Sequence, residues 1–433
     1  MTELQSASAQ NGAVSNVKDV DFNENFPFGI IVRPRSSEPN VRKSCVSCFL
    51  EFISVCAWVF GFLFLGFTCL FIFYFLVYYL LKYAILITVF RHNLPKGMGT
   101  TTDLYCHAAL FTIFLCYTSY WLLDYGAENR GAHPIRFMRS LLLWQYIAAY
   151  FPMQLILSEE LVRYSHLHGE QHGERNTGEQ KQKTAHKNNV ANPLLKHFRG
   201  LPATRNYLVG FHPHGIFCTG AFVNFLTDAT GFSLAFPDLR PRLGVLKAHF
   251  KSPFYRDYLL SLGITAATRE GIRYVLDQNQ CKTTGNFLVI VVGGAPESLE
   301  AQPHEYSLLM RQRFGFFKLA LQTGSSLIPC LSFGEQAMYN QVSNKPGSFL
   351  RRLQDWLLEV TAFGLPVIYA RGPLPYRTPV NTVVGAPIEC ERIEEPTDSQ
   401  VLEIKQKYAE SLRNLFNRYK EFYDPKAGDL VFI

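Results

Sequence analysis

Tyr207-Leu-Val-Gly-Phe-His-Pro-His-Gly-Ile-Phe217 places two imidazoles and a glycine at the end of a short apolar run. Tyr207, Leu208 and Val209 read as a buried strand bounded by Gly210. Pro213 restricts its own φ and lacks an N–H, so the strand should stop there, with His212 and His214 held in a stiff turn. Strand-end loops are where catalytic groups gather, and imidazole changes charge near neutral pH. The competing reading of these residues alone is a pair of histidines satisfied by neighbouring carbonyls.

Working outward, the 433 residues are 48% hydrophobic, with the apolar excess concentrated before residue 150. The net charge of +7 is dispersed, without the aromatic-interleaved basic stripe of a nucleic-acid binder, and suits an anionic membrane surface or an anionic co-substrate. The ten cysteines lie singly or inside apolar runs, as reduced thiols do. Cys45-Val-Ser-Cys48 has metal-ligand spacing but no second pair, and is compatible with acylation beside a membrane segment. No Asn-x-Ser/Thr sequon occurs, in keeping with a catalytic part facing the cytosol.

Residues 1–48 are polar and proline-containing and read as a disordered cytosolic tail without a cleavable signal peptide. Residues 49–123 form a membrane-anchoring region. Phe49 to Phe90 is long enough for two spans or a tight hairpin, and Leu104 to Leu123 for one more. Arg33, Arg35, Arg42 and Lys43 before the region, with Arg130, Arg136 and Arg139 after it, predict cytosolic flanks and an even number of crossings or hairpins that turn back. Residues 124–192 are expected to lie at the interface, with Trp144, Tyr146, Tyr150 and Phe151 near arginines. The hydrophilic insert 165–189 contains His166-Leu-His168, read as a solvated loop.

From about residue 193 to 433, short apolar strands alternate with helical patterns, the mark of an α/β layer fold. Strands are predicted at Tyr207–Val209, Phe287–Val292, Leu327–Leu331 and Val367–Tyr369, and helices at Tyr255–Leu262, Arg269–Asp277 and Phe316–Gln322. After Pro396, residues Ile404, Tyr408, Leu412, Leu415, Tyr419 and Phe422 make one apolar face of a long helix, read as core packing.

Two further stretches carry chemistry. Phe287 to Val292 runs into Gly293-Gly-Ala-Pro-Glu297, where glycines permit close backbone approach and a carboxylate follows the strand end. A tight turn with a capping Glu is the alternative, and the dinucleotide-binding glycine spacing is missing. In the second stretch, Arg311, Arg313 and Lys318 precede and occupy a short helix ended by Gly324, before a strand that leads into Gly334-Glu335. These cations, with Arg371, could hold phosphates or be ordinary solvated surface. A Gly-x-Ser-x-Gly elbow is missing, and no His has an Asp four or five positions on. A carboxylate that orients either histidine therefore comes from elsewhere, and Glu297 is the best candidate.

Taken in order, these sites resemble the diacylglycerol acyltransferase 2 family, which includes monoacylglycerol and wax-alcohol acyltransferases. His212-Pro-His-Gly215 is similar to its His-Pro-His-Gly motif, Tyr150-Phe-Pro152 to its Tyr-Phe-Pro, and Gly293 to Glu297 to its Gly-Gly-x-x-Glu. Arg313 to Glu335 and Val383 to Ile388 resemble two further blocks, and the similarity covers roughly residues 100 to 420. The long first apolar run and the insert depart from the pattern. The resemblance implies a glycerolipid-acyltransferase-like α/β cytosolic domain behind N-terminal transmembrane or hairpin helices. It implies acyl-CoA-dependent transfer to a lipid alcohol, with diacylglycerol as the expected acceptor and monoacylglycerol or a wax alcohol as alternatives. The expected location is the endoplasmic reticulum membrane and lipid droplets; the partners are membrane lipid and acyl-CoA as co-substrate, and a homo-oligomer is compatible with the sequence.

In the roles that follow, His214 is the general base, Glu297 its orienting partner and His212 a structural or oxyanion support. Amides around Gly215, Gly293 and Gly294 stabilise the oxyanion, the basic residues take the CoA phosphates, and neither metal nor cofactor is needed. A reading from another class, a non-catalytic lipid-droplet protein anchored by its apolar region, accounts for residues 49–123 but gives no reason for the two histidines, the Gly-Gly-x-x-Glu turn and the basic helix together.

Overall fold

The computed structural model describes residues 29–33, 44–89, 101–168, 192–372 and 374–433. Most of the expected disordered tail and of the hydrophilic insert lies outside these residues. The strands are β1 (Ile30–Ile31), β2 (Gln154–Leu157), β3 (Tyr207–His212), β4 (Arg240–Val245), β5 (Ile264–Ala266), β6 (Asn286–Val291), β7 (Tyr306–Leu308), β8 (Ser326–Phe333), β9 (Asn340–Gln341), β10 (Ile368–Tyr369), β11 (Asn381–Val384) and β12 (Leu430–Phe432). The helices used below are α1 (Cys45–Leu63), α2 (Leu65–Val89), α3 (Thr101–Leu123), α4 (Leu142–Tyr150), α5 (Glu159–His168), α6 (Tyr255–Leu262), α7 (Arg269–Leu276), α8 (Phe314–Thr323), α9 (Phe349–Thr361) and α10 (Asp398–Tyr423).

Eight strands form one sheet in the order β1-β2-β11-β8-β3-β6-β4-β5. The run β8-β3-β6-β4-β5 is parallel throughout, whereas β11 meets β8 antiparallel and β1 meets β2 antiparallel. A parallel strand covered on both faces must be apolar on both, which is why β3, β6 and β8 read as unbroken apolar runs and not as alternation. Tyr207, Val209 and Phe211 face a core shared with Val55 and Val59 of α1 and Trp144 and Ile147 of α4. Leu208 faces the second core, with Ile272 and Val275 of α7, Phe317 of α8 and Tyr408 and Leu412 of α10. The chain places β4, β5 and β6 on one side of β3 and β8 on the other, so the strand order reverses at the carboxyl ends of β3, β6 and β8, the place where open α/β sheets bind ligands.

Several expectations are corrected. β3 continues to His212, because Phe211 and His212 still pair with Cys330 and Leu331 of β8. Val367–Tyr369 contributes only the short β10, paired with β9 in a separate ribbon. The 124–164 stretch is part of the α/β unit: Trp144 and Phe151 are buried, and Gln154–Leu157 pairs with β11 inside the sheet. With β1 drawn from residues 29–33, the sheet extends ahead of both residue 193 and residue 48, the boundaries expected from composition. His166 and His168 end the helix α5 and are not in a loop.

α1, α2 and the helix that begins at α3 are each long and apolar enough to cross a membrane. The first apolar run is not a tight hairpin. Phe64 alone separates α1 from α2, and its N–H donates to Phe60 O while Thr68 N–H donates to Phe64 O, at 2.8 Å each. The antiparallel pair is α2 with α3: Tyr83 Oη donates to Asp103 at 2.8 Å, Tyr79 Oη meets His107 Nε2 at 2.6 Å, and the Phe73 and Phe114 rings lie 5.3 Å apart. α1 instead lies along the α/β unit, where its buried Glu51 pairs with Arg377. The foot of the α2–α3 pair is fastened by Tyr117, whose hydroxyl donates to Asp257 at 2.7 Å and accepts from Phe254 N–H at 2.6 Å. Buried Arg256 adds ion pairs to Asp124 at 2.9 Å and Glu128 at 3.6 Å.

Candidate active site

His212, the last residue of β3, is 0% exposed. Its Nε2 lies 3.1 Å from the hydroxyl of Tyr408, which donates to Gly210 O at 3.1 Å. The single hydroxyl proton is thereby spent, so Nε2 carries the imidazole proton and donates it to the Tyr408 oxygen. Gly210 is required here, because a Cβ would occupy the place of the Tyr408 hydroxyl. Nδ1 of His212 is buried and has no hydrogen-bond partner among the described residues. Burial alone drives this imidazole down to about 3, so it is neutral at any physiological pH. His212 is therefore a neutral strut inside the fold.

His214, two residues on, is half-buried. Its Nδ1 lies 3.0 Å from Gly215 O, and since a carbonyl only accepts, Nδ1 carries the proton and Nε2 keeps a free lone pair. Burial lowers its pKa below the ordinary histidine value, with the Gly215 carbonyl opposing. The result is a neutral imidazole at pH 7 with an unblocked basic nitrogen.

Glu297 sits on the short turn of helix after β6 and is fully buried. Its Oε1 accepts from the backbone N–H of His214 at 2.7 Å and its Oε2 from that of Leu309 at 2.7 Å. The carboxylate thus holds the main chain of the histidine loop and does not touch the His214 ring, which corrects the expected ring-orienting contact. Burial pushes Glu297 up to about 7, against the two amide donors and Arg313. Gly293 has no side chain to obstruct the carboxylate as it folds back over the turn. The N–H of Gly294 is engaged with Val291 O at 3.1 Å, which leaves Gly215 and Gly293 as the oxyanion candidates.

A second carboxylate, Glu335, closes the other side of the loop. It follows β8, is 0% exposed, and accepts from Gly220 N–H at 2.9 Å. Gly215, with φ +59°, passes so close that a Cβ would stand 2.6 Å from Glu335 Cγ. Burial raises Glu335 to about 8, opposed by the amides of Gly220 and Thr219. Cys218 feels both carboxylates and, with burial, is held well above the usual thiol range, so it is no thiolate nucleophile. Sequence reasoning passed over Glu335, although β8 running into Gly334-Glu335 repeats the pattern of β6 running into Gly293 and Glu297.

The cations are not one cluster. Arg313 donates to Gly293 O and is committed to the Glu297 turn. Arg311 and Lys318 are exposed beside it and on α8. Arg371 instead lies within electrostatic reach of the Tyr150 hydroxyl, which donates to Pro375 O at 2.8 Å. The roof over the histidine loop comes from α1: Trp58 Nε1 donates to Thr219 Oγ1 at 3.3 Å, the Trp58 ring lies 4.7 Å from Phe222, and Phe62 lies 4.6 Å from Phe217.

A neutral imidazole and a buried carboxylate at parallel strand ends fall within the span of a known protein family. Residues 179–433 match the family model described as diacylglycerol acyltransferase. The chain belongs to the diacylglycerol acyltransferase family. It is 34% identical over 391 residues to a diacylglycerol O-acyltransferase 2 of Xenopus tropicalis, covering 88% of each chain. It is also 34% identical over 328 residues to a 2-acylglycerol O-acyltransferase 1 of Bos taurus, covering 74% of this chain and 85% of that one. A diacylglycerol O-acyltransferase 2B of Umbelopsis ramanniana is 34% identical over 325 residues, covering 72% and 80%. The matched diacylglycerol acyltransferase region contains both histidines, both carboxylates and α8 through α10, while α1, which roofs the loop, precedes it.

Proposed function

We propose that this protein is an acyl-CoA-dependent O-acyltransferase of neutral-lipid synthesis that esterifies diacylglycerol to triacylglycerol, with His214 as the general base. The reading rests above all on one observation: Nδ1 of His214 is bonded to Gly215 O, which leaves Nε2 as a lone-pair base in a loop pinned by Glu297. Nε2 takes the proton of the acceptor hydroxyl as its oxygen attacks the thioester carbonyl. The C–S bond breaks, and the CoA thiolate, with a reference pKa of about 8.5 for such thiols, leaves and takes the proton from the imidazolium. The amides of Gly215 and Gly293 are the proposed oxyanion donors, and Arg311 and Lys318 the proposed ligands of the CoA phosphates. Glu297 is a positioning residue and His212 a structural one.

The α/β unit is read as glycerolipid-acyltransferase-like, on the cytosolic side of the endoplasmic reticulum membrane and of lipid droplets. The α2–α3 pair makes the two crossings, with α1 on the cytosolic side; an even number returns both basic flanks to one side. 2-Acylglycerol is the second acceptor to consider, since a relative named for it is as similar as those named for diacylglycerol. The non-catalytic alternative would leave the neutral imidazole and its buried supports without a use.

Membranes containing the protein are incubated with labelled oleoyl-CoA and, in turn, diacylglycerol, 2-acylglycerol and a long-chain alcohol. Triacylglycerol above the control, lost in His214→Ala at equal expression, is the expected result. No ester product from any acceptor would refute the enzymatic reading.

A further inference from the structure

α9 exposes an apolar stripe on its outer side. Its start is capped by Ser348, which accepts from Arg351 N–H at 3.2 Å. Phe349, Leu353, Trp356 and Val360 are spaced four, three and four residues apart, which at about 100° per residue confines them to an arc of roughly 60°. Their exposures are 77%, 41%, 56% and 65%. The side that packs on the protein sets half-buried Leu350, Leu357 and Leu358 beside polar groups. Buried Gln354 donates to Leu365 O at 3.0 Å and accepts from Asn344 at 3.1 Å; Asn344 also donates to Leu299 O at 2.9 Å, and Arg351 pairs with Glu300 at 2.7 Å. A surface helix ordinarily turns its apolar stripe to the core. Here leucines and polar bonds together hold the helix down, and a further apolar stripe points outward, continued by exposed Leu365, Val367 and Tyr369.

The stripe is continuous with the apolar helices. Just past α9, the Phe363 ring lies 5.1 Å from that of His249, which lies 6.2 Å from Tyr255. Tyr255 packs on Gly66 in the first turn of α2, and Ser252 Oγ donates to Gly66 O at 2.7 Å. Along one flank of the stripe Arg352, Asp355 and Glu359 are exposed, as suits residues left in water. An indole at the middle of the stripe suits the boundary between headgroups and acyl chains.

We propose that α9 lies in the surface of the bilayer that holds α2 and α3, with Phe349, Leu353, Trp356 and Val360 among the lipid acyl chains. Arg351 on the inner side of α9 holds Glu300, Gln354 holds Asn344, which bonds Leu299 O, and Gly364 packs on Ser298, where a Cβ would stand 2.6 Å from Oγ, so the helix is tied to the residues that follow Glu297. A lipid-seated α9 therefore sets the height of the Glu297 turn, and with it His214, above a membrane-dissolved alcohol. The inference rests on the membrane reading given above.

The test uses the full chain in phosphatidylcholine nanodiscs, with a photoreactive benzophenone amino acid at Trp356 or Val360, at Asp355 or Glu359 on the flank, and at Ile113 on the outer face of α3. Irradiation is expected to give phospholipid adducts at 113, 356 and 360, several-fold above 355 and 359. Adducts at 113 but not at 356 and 360, or cross-links from 356 to a second copy, overturn the role of α9 and leave the membrane reading intact. No adduct at 113 either overturns both. Without the photoreactive residue, quenching of tryptophan emission by brominated phosphatidylcholine falls in Trp356→Phe, and unchanged quenching refutes the proposal.

Discussion

Replacing Glu297 by Gln tests how the site is held together. The carboxylate offers one oxygen to the amide of His214 and the other to that of Leu309, each at 2.7 Å. A glutamine has one acceptor oxygen and one NH2, so one of the two amides must face a donor. Losing one charge-assisted bond in a buried site costs about 1.5–3 kcal/mol. If that cost is expressed as misplacement of the His214 loop in the transition state, kcat/KM falls about 10- to 150-fold, at about 1.36 kcal/mol per decade. His214→Ala alone should cost about 10²- to 10⁴-fold, the usual contribution of a general base. In the double variant the losses should not multiply, because a loop without its base has nothing left to position. Initial rates with labelled acyl-CoA and diacylglycerol in mixed micelles supply the three ratios. The pH profile supplies an independent check. Glu297, at about 7, accepts both amides only when ionised, so wild-type activity is present above that value and declines as pH falls through it. In Glu297→Gln the acid limb should move below the ordinary histidine pKa, to where His214 titrates. Full wild-type activity in Glu297→Gln, or losses that multiply completely, would refute the positioning role.

Two further outcomes follow from the buried groups. The folded-state pKa of His212 is depressed to about 3, whereas in the unfolded chain it is ordinary. Between about 3 and 6.5 the unfolded chain binds the extra proton, so His212 erodes stability as pH falls through that window, by at most about 1.4 kcal/mol per pH unit. Thermal melts of His212→Gln, which keeps an N–H for Tyr408, should show a shallower acid decline. Glu335 has the opposite sign: its folded pKa is raised to about 8, so the stability it allows is intact below the ordinary glutamate pKa and is lost as pH rises toward 8. Glu335→Gln should flatten that alkaline decline; melts parallel to wild type between pH 5 and 8 would contradict the buried, proton-retaining carboxyl.

Local pattern carried a large part of the outcome. α6 spans the predicted Tyr255–Leu262, and β3, β6 and β8 stand where apolar runs meet glycine. α10 begins after Pro396 with the Thr397–Gln400 capping box. Such features depend on residues a few positions apart, so hydrophobic period and capping chemistry are legible in one dimension. The histidine loop, the Gly293–Glu297 turn and membership of an acyltransferase family were legible for the same reason, since each motif is short and contiguous.

Tertiary structure alone decided which of those residues meet, and how. Tyr408 reads as one more aromatic on the apolar face of α10, yet its hydroxyl crosses 196 positions to hold His212. Glu297 was found by motif, but its grip on the His214 amide and not on the ring depends on where two strand ends fall in one sheet. Glu335 became part of the site only because β8 pairs with β3. α1 and Gln154–Leu157 look like membrane and interface segments by composition and are drawn against or into the α/β unit by long-range pairing. Hydropathy states what a residue prefers to be near, while the partner that satisfies the preference is set by chain topology.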